Sequence, residues 1–122
     1  MKAILTLLFL LPSVIFSQNS DWVYRNPYPQ TDFNSVNFVS NTTGYICGAL
    51  GTMLKTTDAG NSFQPQVTGI SNSLNSLFFT TELIGFACGD KAQIIYTSNG
   101  GINWSIKAQG LNSSSLRSIT FI

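Results

Sequence analysis

TTDAGNSF, Thr56 to Phe63, has the composition of a loop set between two apolar runs. TSNGGINW, Thr97 to Trp104, repeats its layout: Thr56 answers Thr97, Asp58 answers Asn99, Gly60 answers Gly101 and Phe63 answers Trp104, each 41 positions on. Working outward, Phe33 to Phe63 aligns with Leu74 to Trp104 over 31 positions without a gap. Phe38 falls on Phe79, Gly44-Tyr45 on Gly85-Phe86, Cys47-Gly48 on Cys88-Gly89, and Leu54 on Ile95. The pattern runs past both ends. Trp22 lies 41 residues before Phe63, and Leu116 to Phe121 restarts the unit 42 residues after Leu74. A fixed period of this length marks a repeat architecture.

Each unit reads as four short strands. In Asn34 to Phe38, Val36 and Phe38 share a face by period-two alternation, matched by Leu77 with Phe79 and by Ile119 with Phe121. A second strand spans Tyr45 to Cys47 and Phe86 to Cys88, followed by tight turns at Ala49 to Gly51 and Asp90 to Ala92. The third runs over Thr52 to Thr57 and Gln93 to Ser98, and the fourth starts at Phe63 and Trp104. Nothing after the N-terminal stretch shows helical periodicity. Four strands in about 40 residues, repeated, describe blades of an all-β propeller. TTDAGNSF then joins a third strand to a fourth. Asp58 and Asn99 suit Asx-turns, and Gly60 and Gly101 suit a backbone conformation that a Cβ disfavours. Phe63 and Trp104 anchor the fold-back by packing a ring between sheets.

The bulk properties add boundaries. Lys2 precedes an apolar run of 14 residues, Ala3 to Phe16, with Ser17 after it. That is shorter than the roughly 20 residues of a membrane-spanning helix. It reads as a signal peptide over residues 1–17, cleaved between Ser17 and Gln18, and places the protein outside the cytoplasm: secreted, periplasmic or at the cell surface. Residues 18–122 form the propeller part: 18–32 a closing strand and linker, 33–73 and 74–115 two units, and 116–122 the start of a third. Those 105 residues hold about 2.6 repeats of 41, fewer than the 4–8 blades of a propeller. The missing blades are expected from the same longer chain or from other copies. Without Lys2 the chain has five basic and five acidic residues, so no basic stripe suits nucleic acid. No transmembrane segment is expected.

The layout Thr56-x-Asp58-x-Gly60-x-Ser62-Phe63 resembles an Asp-box, or BNR repeat, and the same positions in the second unit are Thr97, Asn99, Gly101 and Trp104. The wider unit resembles that of the photosystem II stability and assembly factor family and its exported bacterial relatives. The resemblance covers nearly all of residues 18–122. It departs at Ala59, where the family has Gly, at Phe63 for Trp, at Asn99 for Asp, and at Ala49 and Ala92 in the turn after the second strand. Two cysteines in an exported chain suggest a disulfide; Cys47 and Cys88 occupy small apolar positions of the family unit, however, and the favoured reading is two packed free thiols, one per blade.

Three function classes follow. Asp-boxes also occur in sialidases, and that resemblance implies three substrate-binding arginines and a Tyr nucleophile. This chain has only Arg25 and Arg117 and no His, so no catalytic residue, metal site or cofactor is assigned. A binding module would use the loops at the channel mouth, with Tyr28, Asp90 and Lys91 as ligand-face residues. The resemblance to assembly factors implies a non-catalytic scaffold for protein interaction. The expected partner is a protein; the alternatives are a cell-surface glycan, or a place at the N-terminal end of a sialidase-like glycoside hydrolase.

Overall fold

The computed structural model describes residues 31–110 and 113–122. The expected signal peptide, Trp22 of the expected closing strand, and Tyr28 lie outside the described residues. Eight strands form two four-stranded antiparallel sheets in the orders β1-β2-β3-β4 and β5-β6-β7-β8. The first holds β1 (Phe33–Phe38), β2 (Gly44–Gly48), β3 (Met53–Thr56) and β4 (Gln64–Pro65). The second holds β5 (Leu74–Phe79), β6 (Gly85–Gly89), β7 (Ile94–Thr97) and β8 (Ser105–Ala108). Neighbours in each sheet are neighbours in sequence, so every unit is a meander. The structure is that of successive β-propeller blades. The fourth strands begin one residue after Phe63 and Trp104, and the Trp104 ring packs against the core between the sheets.

The registers repeat with the sequence. Val36 faces Ile46 across β1 and β2, and Leu77 faces Ala87 across β5 and β6. Both first strands carry an irregularity at the same phase, Phe33/Ser35 and Leu74/Ser76. It serves the turn that follows the second strand. There the Asp32 carbonyl accepts from the Ala49 amide at 2.9 Å, and the Ser73 carbonyl accepts from the Asp90 amide at 3.0 Å. To reach them, each carbonyl crosses a glycine. A Cβ on Gly48 would lie 2.0 Å from the Asp32 oxygen, and one on Gly89 would lie 1.9 Å from the Ser73 oxygen. These glycines are required by space, since both backbones are extended. The turns, Ala49–Gly51 and Asp90–Ala92, are short 3-10 segments with left-handed residues at their tips, Leu50 at φ 59° and Lys91 at φ 58°.

The core lies between the blades. Tyr45, Cys47 and Met53 of the first pack on Leu74, Leu77, Phe79, Ala87 and Ile95 of the second. Tyr45 stacks on Phe79 with ring centroids 4.1 Å apart, and Trp104 meets the Phe79 edge at 6.1 Å. Burying side chains such as Leu77 and Phe79 stabilises by about 1.5–3 kcal/mol each. Polar bonds tie the same seam. The Asn34 amide donates to the Leu74 carbonyl at 2.8 Å. The Tyr45 hydroxyl donates to the Gly100 carbonyl at 2.7 Å, and Lys55 Nζ donates to the same oxygen at 3.0 Å.

The segment from Leu116 to Ile122 forms no strand. It nevertheless sits against the second blade as β5 sits against the first. The Asn75 amide donates to the Leu116 carbonyl at 2.9 Å, the counterpart of the Asn34 bond. The Ile119 amide donates to Ser76 Oγ at 3.1 Å, and the Phe121 ring lies 4.7 Å from Phe86. A strand needs a ladder partner on its hydrogen-bonding edge. One main-chain bond, the Leu116 amide to the Gly89 carbonyl at 3.0 Å, joins the contacts through Asn75, Ser76 and the rings; together they position the segment without making a ladder.

Cys47 and Cys88 are buried and unbridged. Burial, with Cys88 nearby as a lesser cause, pushes the Cys47 thiol up to about 12, and burial raises Cys88 as well. The thiolate is the reactive form. Neither cysteine should therefore label with iodoacetamide at pH 8 in the folded protein, and both should label in urea. Rapid labelling without denaturant would show that the seam opens.

Candidate functional site

Among the described residues, the predicted site side chains fall in two places: the clasp between third and fourth strands, and the turns at the opposite end of each blade. In the clasp, Thr56 and Thr97 end β3 and β7 fully buried, so their hydroxyls are fixed by the sheet. The Thr56 hydroxyl donates to Asp58 Oδ1 at 2.8 Å and accepts from the Asp58 and Gly60 amides at 3.3 and 2.8 Å. Asp58 in turn accepts from the Ser62 amide at 2.8 Å and, through Oδ2, from the Ser62 hydroxyl at 2.6 Å. The second unit repeats this without charge. The Thr97 hydroxyl donates to Asn99 Oδ1 at 3.0 Å and accepts from the Gly101 amide at 2.9 Å, while Asn99 Oδ1 also accepts from the Asn103 amide at 3.0 Å. Gly60 and Gly101 sit at φ 87° and 85°, where a side chain is strained. Ala59 holds φ 59° with a methyl group, at a cost of about 1 kcal/mol.

The Ser62 hydroxyl, then the Ser62 amide, then the Thr56 hydroxyl hold the Asp58 carboxyl down to about 2, against an ordinary 3.8. A carboxyl depressed on folding adds stability above the unfolded value, and that stability is lost as pH falls toward the folded one. Acid should therefore weaken the first clasp between pH 3.8 and about 2. Comparing wild type with Asp58→Asn from pH 6 to 2 by urea denaturation checks this, and the variant should show the shallower loss. Both oxygens of Asp58 are engaged in the turn, which makes the carboxylate part of the fold and leaves it poorly suited to catalysis.

At the other end of the blade, Asp90 and Lys91 share one turn. Asp90 Oδ1 accepts from the Ser115 hydroxyl at 2.8 Å and from the Asn75 amide at 3.2 Å. These bonds, Ser115 first and Asn75 next, lower its proton affinity, and Arg117 adds to the effect against opposing desolvation. The carboxylate thus straps the link between the second blade and Leu116. Lys91 is exposed at the tip, and its carbonyl accepts from the Gly110 amide at 2.9 Å. In the first blade the same two positions are Ala49 and Leu50, and Leu50 is 75% exposed. The two tips therefore offer one apolar and one cationic side chain. Among the described residues no three His, Cys, Asp or Glu side chains gather where a metal ion could be held. Nor, among them, is any helix long and apolar enough to cross a membrane.

Sequence reasoning missed the seam bonds of Asn34, Asn75, Tyr45 and Lys55. A signal for the first two was present: Asn34 and Asn75 are identical residues 41 apart, in strands otherwise read only for their apolar face.

The fold is that of a β-propeller, seen among the described residues as two blades. The chain is similar to a solved structure described as YCF48 bound to D1 peptide, at 22% identity and a TM-score of 0.61, over 73% of this chain and 32% of that one. It thus spans about a third of the length of that propeller. No family profile matches the chain. No curated protein matches it either.

Proposed function

We propose that the chain is part of an exported, non-catalytic β-propeller that holds a protein partner. The observation that carries this reading is the likeness to YCF48, a propeller solved with a bound peptide. The chemistry of the described residues supports it. Asp58 and Asp90, the two carboxylates at the predicted sites, are engaged in turns and straps. The partner would meet the face that carries the Leu50 and Lys91 tips, where apolar and basic groups lie on neighbouring blades. Export rests on Lys2 and the Ala3 to Phe16 run, and the secreted protein should begin at Gln18 on N-terminal sequencing.

The test is pull-down from envelope and secreted fractions with the tagged protein, followed by a saturable binding measurement on the recovered partner. Lys91→Glu and Leu50→Asp should each weaken that binding while leaving the thermal midpoint in place. Binding on a glycan array and none to protein would favour the glycan-module reading. Release of sialic acid from a sialoside would establish an enzyme and end the scaffold reading.

A further inference from the structure

Asn99 is the only asparagine of the chain followed by glycine, and it stands at the phase of Asp58. Such a pair can react with itself. A main-chain nitrogen can attack the asparagine carboxamide that precedes it, and a glycine, lacking a Cβ, lets the two approach. The structure treats the two reacting groups oppositely. Asn99 Oδ1 accepts from the Thr97 hydroxyl and from the Asn103 amide, both at 3.0 Å. These donors draw electrons from Cγ and would hold the negative charge that gathers on the oxygen during attack. The nucleophile, by contrast, is withheld. The Gly100 amide donates to the Leu83 carbonyl at 2.9 Å. Gly100 itself is buried beside the Leu83 side chain, the Glu82 carbonyl and the Tyr45 hydroxyl. The first blade makes the equivalent bond, from the Ala59 amide to the Thr42 carbonyl at 2.8 Å, but Asp58 offers no carboxamide there.

We propose that Asn99-Gly100 is a self-modification site, kept closed by the bond from Gly100 to Leu83, and that Asn99 converts to aspartate or isoaspartate when that bond opens. In the open state, solvent base takes the Gly100 amide proton and the nitrogen attacks Asn99 Cγ. A C–N bond forms there. The side-chain nitrogen leaves as ammonia, with the proton returned by solvent, and a cyclic imide remains. Water then opens the imide. Breaking the new C–N bond gives aspartate. Breaking the original link from the Asn99 carbonyl to Gly100 gives isoaspartate, whose main chain runs through the side chain. The net change is a water taken up and an ammonia lost. The two products differ in effect. Aspartate accepts the same bonds from Thr97 and Asn103 as charge-assisted ones, and gives the second clasp the residue that the first has in Asp58. Isoaspartate puts an extra methylene between Thr97 and Gly101, whose bond at 2.9 Å closes the clasp. It also displaces the Gly100 carbonyl that receives Tyr45 and Lys55, and so loosens the seam. Nothing in this chemistry depends on the partner proposed above.

The test holds the intact protein at mildly alkaline pH, folded and in guanidinium chloride. Peptide mass analysis follows Asn99, with fragmentation that separates aspartate from isoaspartate. Asn99 should convert to both products in guanidinium. It should convert about 10- to 1,000-fold more slowly when folded, as reaction through an open state populated at about 0.1–10% requires. Leu83→Gly loosens the loop that supplies the acceptor carbonyl, and the side chain it removes is 58% exposed. This variant should speed conversion in the folded protein and leave the rate in guanidinium unchanged. In the wild type, hydrogen exchange at the Gly100 amide should show the same protection. Equal rates in the folded and denatured protein, no conversion in guanidinium, or an unprotected Gly100 amide would each overturn the proposal. A folded-state rate that Leu83→Gly leaves unchanged would place the protection elsewhere and overturn it too.

Discussion

Replacing Phe79 with alanine is expected to destabilise the protein by about 3–5 kcal/mol, the range for a buried phenylalanine cut to a methyl. Phe79 stacks on Tyr45 across the seam, meets the Trp104 edge, and closes over Gly85, where an added Cβ would lie 2.6 Å from its ring. Removing it opens a cavity bounded by two blades. The surrounding strands are held in register on both sides and have little room to collapse. Phe38→Ala is the matched control. It removes the same atoms at the same phase of the repeat, but half of that ring is exposed. Its cost in this chain should be about 1 kcal/mol or less, by area removed from water. Urea denaturation of both variants measures the difference. Equal losses would mean that the blades contribute little to each other.

The second large effect is expected at Gly89. A methyl group there would lie 1.9 Å from the Ser73 carbonyl oxygen and 2.9 Å from the Leu74 Cα. Both obstacles are backbone, so no side chain can swing aside. The carbonyl is also committed to the Asp90 amide at 3.0 Å. Gly89→Ala should therefore break the close approach of β5 to the turn and cost more than about 3 kcal/mol, at the severe end of overpacking. Gly69→Ala provides the contrast. Gly69 has φ 77° and nothing within 4 Å of a built Cβ, so only left-handed strain applies. That strain is about 1–2 kcal/mol. A thermal midpoint lowered more by Gly69→Ala than by Gly89→Ala would refute the steric account.

Much of the fold was legible because the repeat reports on itself. Phe38 with Phe79 and Gly48 with Gly89 coincide at 41 residues, and the structure places them at equivalent registers in two sheets. The all-β propeller expected from that period is what the blades and the likeness to YCF48 show. Strand ends moved by a residue: the fourth strands begin at Gln64 and Ser105 instead of Phe63 and Trp104. The seam was harder to read. Tyr45 looked like one more apolar position of a second strand, and its hydroxyl finds the Gly100 carbonyl 55 residues away. Nothing in the sequence singles out Lys55, yet it reaches the same oxygen. Periodicity shows which side chains share a face, but it carries no information about which distant carbonyl a polar tip will meet. The ligand face was least legible for a related reason. Asp90 is expected at the ligand face, and the sequence gives no sign that its carboxylate also accepts from Ser115 and Asn75.

Four side-chain bonds across the seams share a direction, although the Ile119 amide gives the opposite one to Ser76 Oγ. Asn34, Tyr45, Lys55 and Asn75 each give a side-chain donor from the earlier unit to a main-chain oxygen of the later one. Main-chain oxygens do not depend on residue type. A unit copied within the gene would bring its own donors and find acceptors ready in whatever unit follows. Growth by duplication would then need no matched pair of mutations at the new junction. Later drift could alter each receiving strand while the junction survived, as Leu74 and Leu116 receive alike although the residues around them differ.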